Sequence, residues 1–283
     1  MNRWMHRIRR LVIVVANVLT LGTVLSACAL VPGGSFDTLC ADPIVISCDR
    51  SAQSTLVVID ADASEEDVIA FAESLDGATA AFSGPVSLEA RSSHAVILDP
   101  EVAPPFSWRI DLNAEQSSDL AASLRDTLQA ASVPGAVGIS RESGWVLVTV
   151  QRIEQFEEVF ETLSQGAFAD GATYTLQSLN ERLRIVHVPE RTSADAIHEI
   201  ISIAQDYPDA EVLLESMTSG PQSPTFSVSR LTPPQQQELA ARLRDSRLAG
   251  ADVDGYPIEF VLGSTGEQGV TYVSGTFGDV PAD

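Results

Sequence analysis

The sequence predicts an α+β fold in which helices lie on one face of antiparallel sheets, after an N-terminal signal helix. Two observations lead to this prediction. Apolar runs typical of strands recur along the chain, and segments with apolar residues three and four positions apart lie between several of them. Part of this pattern also occurs twice, which indicates that the folded unit is duplicated.

The strands are predicted from residue 55 onward, where short runs rich in valine, leucine and isoleucine begin. They are expected at 55–60, 94–98, 107–112, 145–150, 182–188, 210–215, 225–230, 257–262 and 270–277. The 3.6-residue apolar period predicts helices at 64–75, 114–131, 153–165, 193–206 and 233–248. Capping residues support several of these starts, among them Ser64 and the Thr232-Pro233-Pro234 run.

Two pairs of similar segments indicate the internal repeat. LAASLRD at 120–126 matches LAARLRD at 239–245, and a strand-to-helix segment that begins at Val57 matches one that begins at Val186. Each half then contains strand, helix, strand, strand, helix and strand, the order of a split βαβ, or ferredoxin-like, unit. We expect one repeat at 55–150, a connecting helix and strand at 151–181, and a second repeat at 182–283.

The N-terminus has the composition of an export signal. Four arginines lie in the first ten residues, LVIVVANVLTLGTV forms an apolar run at 11–24, and small residues follow. The sequence Leu25-Ser26-Ala27-Cys28 resembles the lipobox of bacterial lipoproteins. The resemblance implies removal of residues 1–27 by cleavage between Ala27 and Cys28, acylation of Cys28, and lipid anchoring in the cell membrane at its extracytoplasmic face.

An uncleaved membrane helix is the alternative interpretation of this apolar segment, which is just long enough to span a bilayer. It would also place the body outside the cell, because the arginine cluster stays on the cytoplasmic side. The two interpretations therefore agree on the compartment and differ in the anchor.

The charge of the chain limits its partners. It has 39 acidic residues, 17 arginines and no lysine, so its formal net charge is −22. Cleavage before Cys28 would leave 13 arginines against 39 acids, a charge of −26. So acidic a body argues against nucleic acid as a partner, because phosphate-binding surfaces need cations. The expected contact with the bilayer is therefore the acylated Cys28.

Residues 28–54 contain prolines and glycines without a helical period, so we predict that they form a tether. Acylation of Cys28 leaves Cys40 and Cys48 as an even pair. Because the compartment outside the membrane permits disulfides, we favour a bond between these two residues over two reduced thiols. A zinc site is disfavoured there, since two cysteines without a nearby histidine are too few ligands.

No motif in the sequence points to catalysis, to a cofactor or to a metal. The lack of lysine excludes phosphate-binding Walker loops and Schiff-base chemistry. His198-Glu199 begins like a zinc-protease helix, but Ser202 occupies the position of the second histidine. We therefore interpret this segment as the solvated face of an amphipathic helix.

We predict a membrane-anchored, non-catalytic binding or scaffolding module for a protein or other envelope partner, with no cofactor and no metal. Two alternatives stay open, an extracytoplasmic hydrolase that uses Asp or Glu and a small-solute-binding lipoprotein. Two facing acids in a deep pocket would favour the hydrolase, and an open cleft between halves would favour solute binding. A filled core beneath one flat, exposed sheet would favour the binding module.

Overall fold

The chain adopts an α+β fold built on one long mixed sheet. The computed structural model describes residues 36–79, 84–91, 106–112, 120–142, 145–169, 173–187, 193–215, 224–253, 255–267 and 269–279. The helices are α1 (Phe36–Cys40), α2 (Glu65–Ala78), α3 (Leu120–Ala131), α4 (Phe156–Gln165), α5 (Ala194–Asp206) and α6 (Pro233–Leu243). Within the described ranges, no helix has both the length and the apolar character needed to cross a membrane.

The strands follow one another along the chain with a helix after every second one. They are β1 (Val45–Arg50), β2 (Thr55–Asp60), β3 (Val86–Arg91), β4 (Trp108–Asp111), β5 (Ala136–Glu142), β6 (Trp145–Val150), β7 (Tyr174–Ser178), β8 (Leu183–His187), β9 (Glu211–Glu215), β10 (Thr225–Leu231), β11 (Asp252–Val253), β12 (Tyr256–Pro257), β13 (Glu259–Gly266) and β14 (Gly269–Thr276). Short 3₁₀ turns lie at Ile153–Gln155 and Ser246–Leu248.

The large sheet has 12 strands whose spatial order is their chain order, β1 to β10 followed by β13 and β14. Parallel and antiparallel pairs alternate across it. The parallel pairs are β2–β3, β4–β5, β6–β7, β8–β9 and β10–β13. In each pair, one of the helices α2 to α6 lies between the two strands along the chain. The pairs between them are antiparallel. The sheet is therefore a series of βαβ units.

This strand order differs from the predicted pair of split βαβ units. In a split unit another strand lies between the two parallel strands, whereas here the parallel strands of each unit are hydrogen-bonded neighbours. The sheet is also mixed instead of antiparallel. The matched segments keep a structural meaning, since α3 corresponds to α6 and β2–α2 corresponds to β8–α5. Both matches are three units apart, and each pair of matched segments occupies equivalent places in its βαβ units.

Strands β1, β3 and β5 of the large sheet, and the short strand β11, are absent from the sequence prediction. Strand β3 (VSLEAR) alternates apolar and polar residues, which is itself the pattern of a strand, and the prediction did not include it. Strand β1 lies inside the predicted tether, and residues 36–50 of that tether form α1 and β1. The predicted strand at 94–98 lies outside the described residues, as do the first residues of the helix predicted at 114–131.

The helices form one layer on one face of the sheet. Adjacent helices contact each other, α2 with α3 and α4 with α5, and an Arg125–Glu65 ion pair of 3.3 Å joins the first two. Beneath them, alternate strand residues form a continuous apolar core, and each fully buried side chain contributes about 1.5–3 kcal/mol. The central core residues are Val57, Leu88, Ile110, Ile139, Val148, Leu176, Ile185, Leu214, Phe226 and Phe260.

A buried glutamine connects α6 to the last two strands. Gln236 is 5% exposed, and its amide nitrogen donates to the carbonyls of Leu262 at 2.7 Å and Thr271 at 3.1 Å. Its amide oxygen accepts from the Ser264 hydroxyl at 2.9 Å. Both polar ends of this side chain are thus satisfied, and they fix the position of β14 relative to α6.

We expect Gln236→Ala to lower the free energy of unfolding by about 1–3 kcal/mol, because it leaves buried carbonyl and hydroxyl groups without their partner. Gln237, the exposed neighbour in the same helix, is the matched control. Gln237→Ala should change stability by no more than about 0.5 kcal/mol. Urea unfolding of the two variants makes the comparison, and equal stabilities would show that the Gln236 network contributes nothing.

Candidate functional site

Among the described residues, β14 is an edge strand of the large sheet and carries its two most exposed large hydrophobic side chains. Strand β14 pairs with β13 on one side and is the last strand in the sheet order. Residues 269–276 include no charged residue and no proline. Val270 is 58% exposed and Tyr272 is 72% exposed. An edge of this kind presents backbone donors and acceptors beside apolar side chains, which is what a pairing strand needs.

The opposite edge of the sheet is protected. Strand β1 has an irregular register with β2 between Val45 and Ser47, and it ends in the charged pair Asp49 and Arg50. Bulges and charges both discourage a further strand from pairing with an edge. The two edges therefore differ, and β14 is the one suited to strand addition.

Contacts within the fold orient the aromatic side chain on β14. Tyr272 lies opposite Gly263 of β13, and its ring carbon Cε1 is 3.3 Å from the place that a Cβ on Gly263 would occupy. Any side chain at position 263 would press on this ring. Further along the strand, the Arg244 guanidinium donates to the Ser274 carbonyl at 3.0 Å. The half of β14 from Gly269 to Tyr272 is the exposed part of the edge.

A compact ionic cluster lies on β3 and β4, on the sheet face opposite the helices. The Glu89 carboxylate is buried and lies 2.5 Å from Arg91 Nε. On the neighbouring strand, Asp111 accepts from the Ser87 hydroxyl at 2.6 Å, and Arg109 donates to the same hydroxyl at 3.1 Å. Two acids are matched by two arginines, so this cluster is best explained as a cross-strand network that stabilises the sheet.

A surface cavity of about 480 Å³ lies among α4, α5 and the 3₁₀ turn at Ser246–Leu248. Acidic and polar side chains line it, namely Glu157, Asp195, His198, Glu199, Ser202, Gln205 and Arg247, with Leu248. The Nδ1 atom of His198 is 3.2 Å from a carboxylate oxygen of Glu157. The Glu157 side chain is 55% exposed and the His198 side chain is 37% exposed, although the Nδ1 atom itself is shielded from solvent.

Arg242 of α6 connects this region to α5. Its guanidinium contacts Glu199 through Nε, Asp206 through Nη1 at 2.6 Å and Ser202 through Nη2 at 2.9 Å. Burial acts to lower the pKa of Arg242, but the hydrogen bonds to Asp206 and Glu199 outweigh it and raise the pKa. Arg242 thus stays charged and neutralises part of the acidic surface of α5.

The two cysteines predicted to pair are joined in the structure. A disulfide connects Cys40, the last residue of α1, to Cys48 of β1, with 5.9 Å between their Cα atoms. The bond attaches the N-terminal helix to the protected edge strand. Ala27 and Cys28, the predicted cleavage and lipidation residues, lie outside the described residues.

Comparison of this chain with protein-family models, with curated proteins and with solved structures finds no match. The assignment of function therefore depends on the geometry of the molecule itself.

Sequence reasoning missed both regions that the fold brings out. Strand β14 was expected, but its place at the edge follows only from the strand order. The HExxH-like spacing around His198 concerns only its own helix, whereas its acidic neighbour Glu157 comes from α4. Local sequence does not show which helices of successive βαβ units contact each other. The acidic face of 157–161 (EEVFE) is a partial signal, because it shows where carboxylates cluster.

We expect Arg242→Ala to lower the free energy of unfolding by about 1–2 kcal/mol, because Glu199 and Asp206 lose their shared cation. The matched control is Arg247→Ala, since Arg247 is 76% exposed and pairs with the neighbouring Asp245. A fully exposed pair of that kind should contribute little to stability, so Arg247→Ala should be clearly less destabilising than Arg242→Ala. Thermal unfolding distinguishes the two, and an Arg247 variant less stable than the Arg242 variant would refute this account of the cluster.

Proposed function

We propose that this chain is a lipid-anchored lipoprotein that binds a protein of the cell envelope without catalysis, by adding a strand of that partner to β14. The observation that carries the proposal is the uncharged, exposed edge of β14 in a sheet whose other edge is protected. Strand addition is a common recognition mode, in which main-chain hydrogen bonds supply affinity and side-chain contacts supply specificity.

The first described elements of the chain, α1 and β1, and the β14 edge lie at opposite ends of the sheet. The segment that follows Cys28 enters the fold at α1 and β1, and the disulfide holds these two elements together. Twelve strands spaced about 4.8 Å apart separate the β1 edge from the β14 edge by roughly 50 Å along the sheet. An acylated Cys28 would thus hold the protein by its protected side and leave β14 accessible.

The charge of the body favours a partner over a second copy of the chain. With Cys28 as the first residue, two copies would each carry a charge of −26, and their mutual repulsion opposes association. A neutral strand on an acidic body is best matched by an extended segment with basic flanks, because the flanks gain attraction while the strand pairs with β14. An envelope protein with such a segment is the partner that we propose.

The hydrolase alternative has weaker support in the described residues. The carboxylates of the 480 Å³ cavity include Glu157, which is 55% exposed, and Glu199, which Arg242 neutralises. A general acid usually depends on burial to hold its proton near neutral pH. The described helices also form one layer on one sheet, and this arrangement gives solute binding between two halves no support.

The anchor is tested at the proposed lipidation residue. We expect Cys28→Ser to abolish incorporation of labelled palmitate and to release the body from membranes into the soluble extracytoplasmic fraction, because acyl burial supplies the membrane affinity. Metabolic labelling and fractionation measure both effects. Undiminished labelling of the Cys28→Ser chain would refute lipidation at this residue.

The binding edge is tested with a photoreactive amino acid placed in living cells at position 272 or at position 256. Tyr256 is 47% exposed on β12, outside the large sheet, and is the matched control. We expect a discrete cross-link to one envelope protein from position 272 and none from position 256.

The cross-linked protein is then purified and titrated against full-length variants. Tyr272→Lys should weaken binding about tenfold, because a charge on the edge strand opposes pairing and the aromatic contact is lost. Tyr256→Lys should bind like the unmodified chain. Equal effects of the two substitutions, or a cross-link joining two copies of this chain, would contradict the proposed partner and its mode of binding.

A further inference from the structure

A histidine and two glutamates from two helices converge beside the cavity on the helix layer. Glu157 and Glu161 are four residues apart on α4 and therefore lie on the same side of that helix. His198 projects from the facing side of α5. One donor atom from each of the three residues lies within 4.8 Å of the other two.

The imidazole of His198 is held in place but is incompletely satisfied. Its ring packs edge-on against Phe160, with 5.8 Å between ring centroids. Its Nδ1 atom is shielded from solvent and makes no hydrogen bond to any described group, although Glu157 Oε1 is only 3.2 Å away. The imidazole nitrogen and the carboxylate oxygen, both atoms that can bind a metal ion, therefore lie close together without the geometry of a hydrogen bond.

We propose that Glu157, Glu161 and His198 bind one divalent transition-metal ion of the zinc class. Two ligand atoms that are each about 2.1 Å from a tetrahedral zinc ion are about 3.4 Å apart. The observed Nδ1–Oε1 distance of 3.2 Å matches this separation, and Glu161 is close enough to be the third ligand. Small rotations of two solvent-exposed glutamates complete the set.

The donor types decide which cation the site prefers. One imidazole nitrogen with two carboxylates suits zinc, cobalt or nickel, whereas calcium and magnesium favour sets made of oxygen alone. Asp195 and Glu199 also line the cavity, and Glu199 is engaged by Arg242, so Asp195 adds negative charge that attracts a cation. The adjoining space leaves room for water as the fourth ligand.

A metal ion at this position would connect α4 to α5, which belong to successive βαβ units. The sheet already joins these units through the antiparallel β7–β8 pair, and the ion would join them again on the helix layer. Its role would be to stabilise the fold, and the binding edge at β14 would not depend on it.

The test uses the full chain in detergent, purified without a histidine tag and stripped with a chelator. Calorimetric titration with ZnCl₂ should show one site per chain, and CaCl₂ should bind at least about tenfold more weakly. At zinc concentrations about 100-fold above the Kd, the Tm should rise by about 5–10 °C. Cobalt added to the unmodified chain should give the visible absorption of a four-coordinate ion.

The variants assign the site to its residues. His198→Ala and Glu161→Gln should each weaken zinc binding at least about tenfold. Glu158→Gln, which removes an equal charge from an exposed neighbour on α4, should leave it unchanged. No stoichiometric zinc binding, equal affinity for calcium, or full binding by a folded His198→Ala chain would each overturn the proposal. Because the cobalt spectrum needs no substitution, it remains decisive even if a variant fails to fold.

Discussion

The rest of the structure depends on burial of one face of a long sheet beneath a single layer of helices. Each parallel strand pair receives one helix, and the apolar side chains of both close the core unit by unit. Main-chain hydrogen bonds between strands then join the units in chain order. An open sheet of this kind has two ends, and an unpaired edge is a hazard unless it is protected or used. The treatment of its two edges is therefore the most informative feature of the molecule.

The edges are held by different interactions. At the β1 end a disulfide, a register irregularity and charged residues protect the strand. At the β14 end the hydrogen bonds of the buried Gln236 hold the strand from the helix side. Arg244 also donates a hydrogen bond to the Ser274 carbonyl. The stretch from Gly269 to Tyr272 is thus fixed in position while it remains exposed. A strand held in advance in the paired conformation binds at a lower entropic cost than a mobile one.

Local sequence predicted the elements better than their arrangement. Helix caps at Ser64 and Thr232 and the apolar period of α5 are local signals, and the structure has helices at those places. The alternation of apolar and polar residues in β3 is present in the sequence, whereas the cross-strand ionic cluster of Ser87 and Glu89 is assembled only by the folded sheet. The matched segments fall in corresponding βαβ units, but the sheet order does not have the split βαβ arrangement that the two-fold repeat was predicted to form. The contact between Glu157 and His198 likewise arises from packing of successive helices, which no spacing along one helix encodes.

The central claim is that β14 pairs with a strand of an envelope partner. Amide hydrogen exchange of β14, measured in the native membrane and again in the purified chain, tests it most directly, because strand pairing protects edge amides that are otherwise open to solvent. We expect slower exchange at alternate residues of Gly269–Val273 in the membrane, with β1 unchanged. Identical exchange of β14 in both preparations would contradict it.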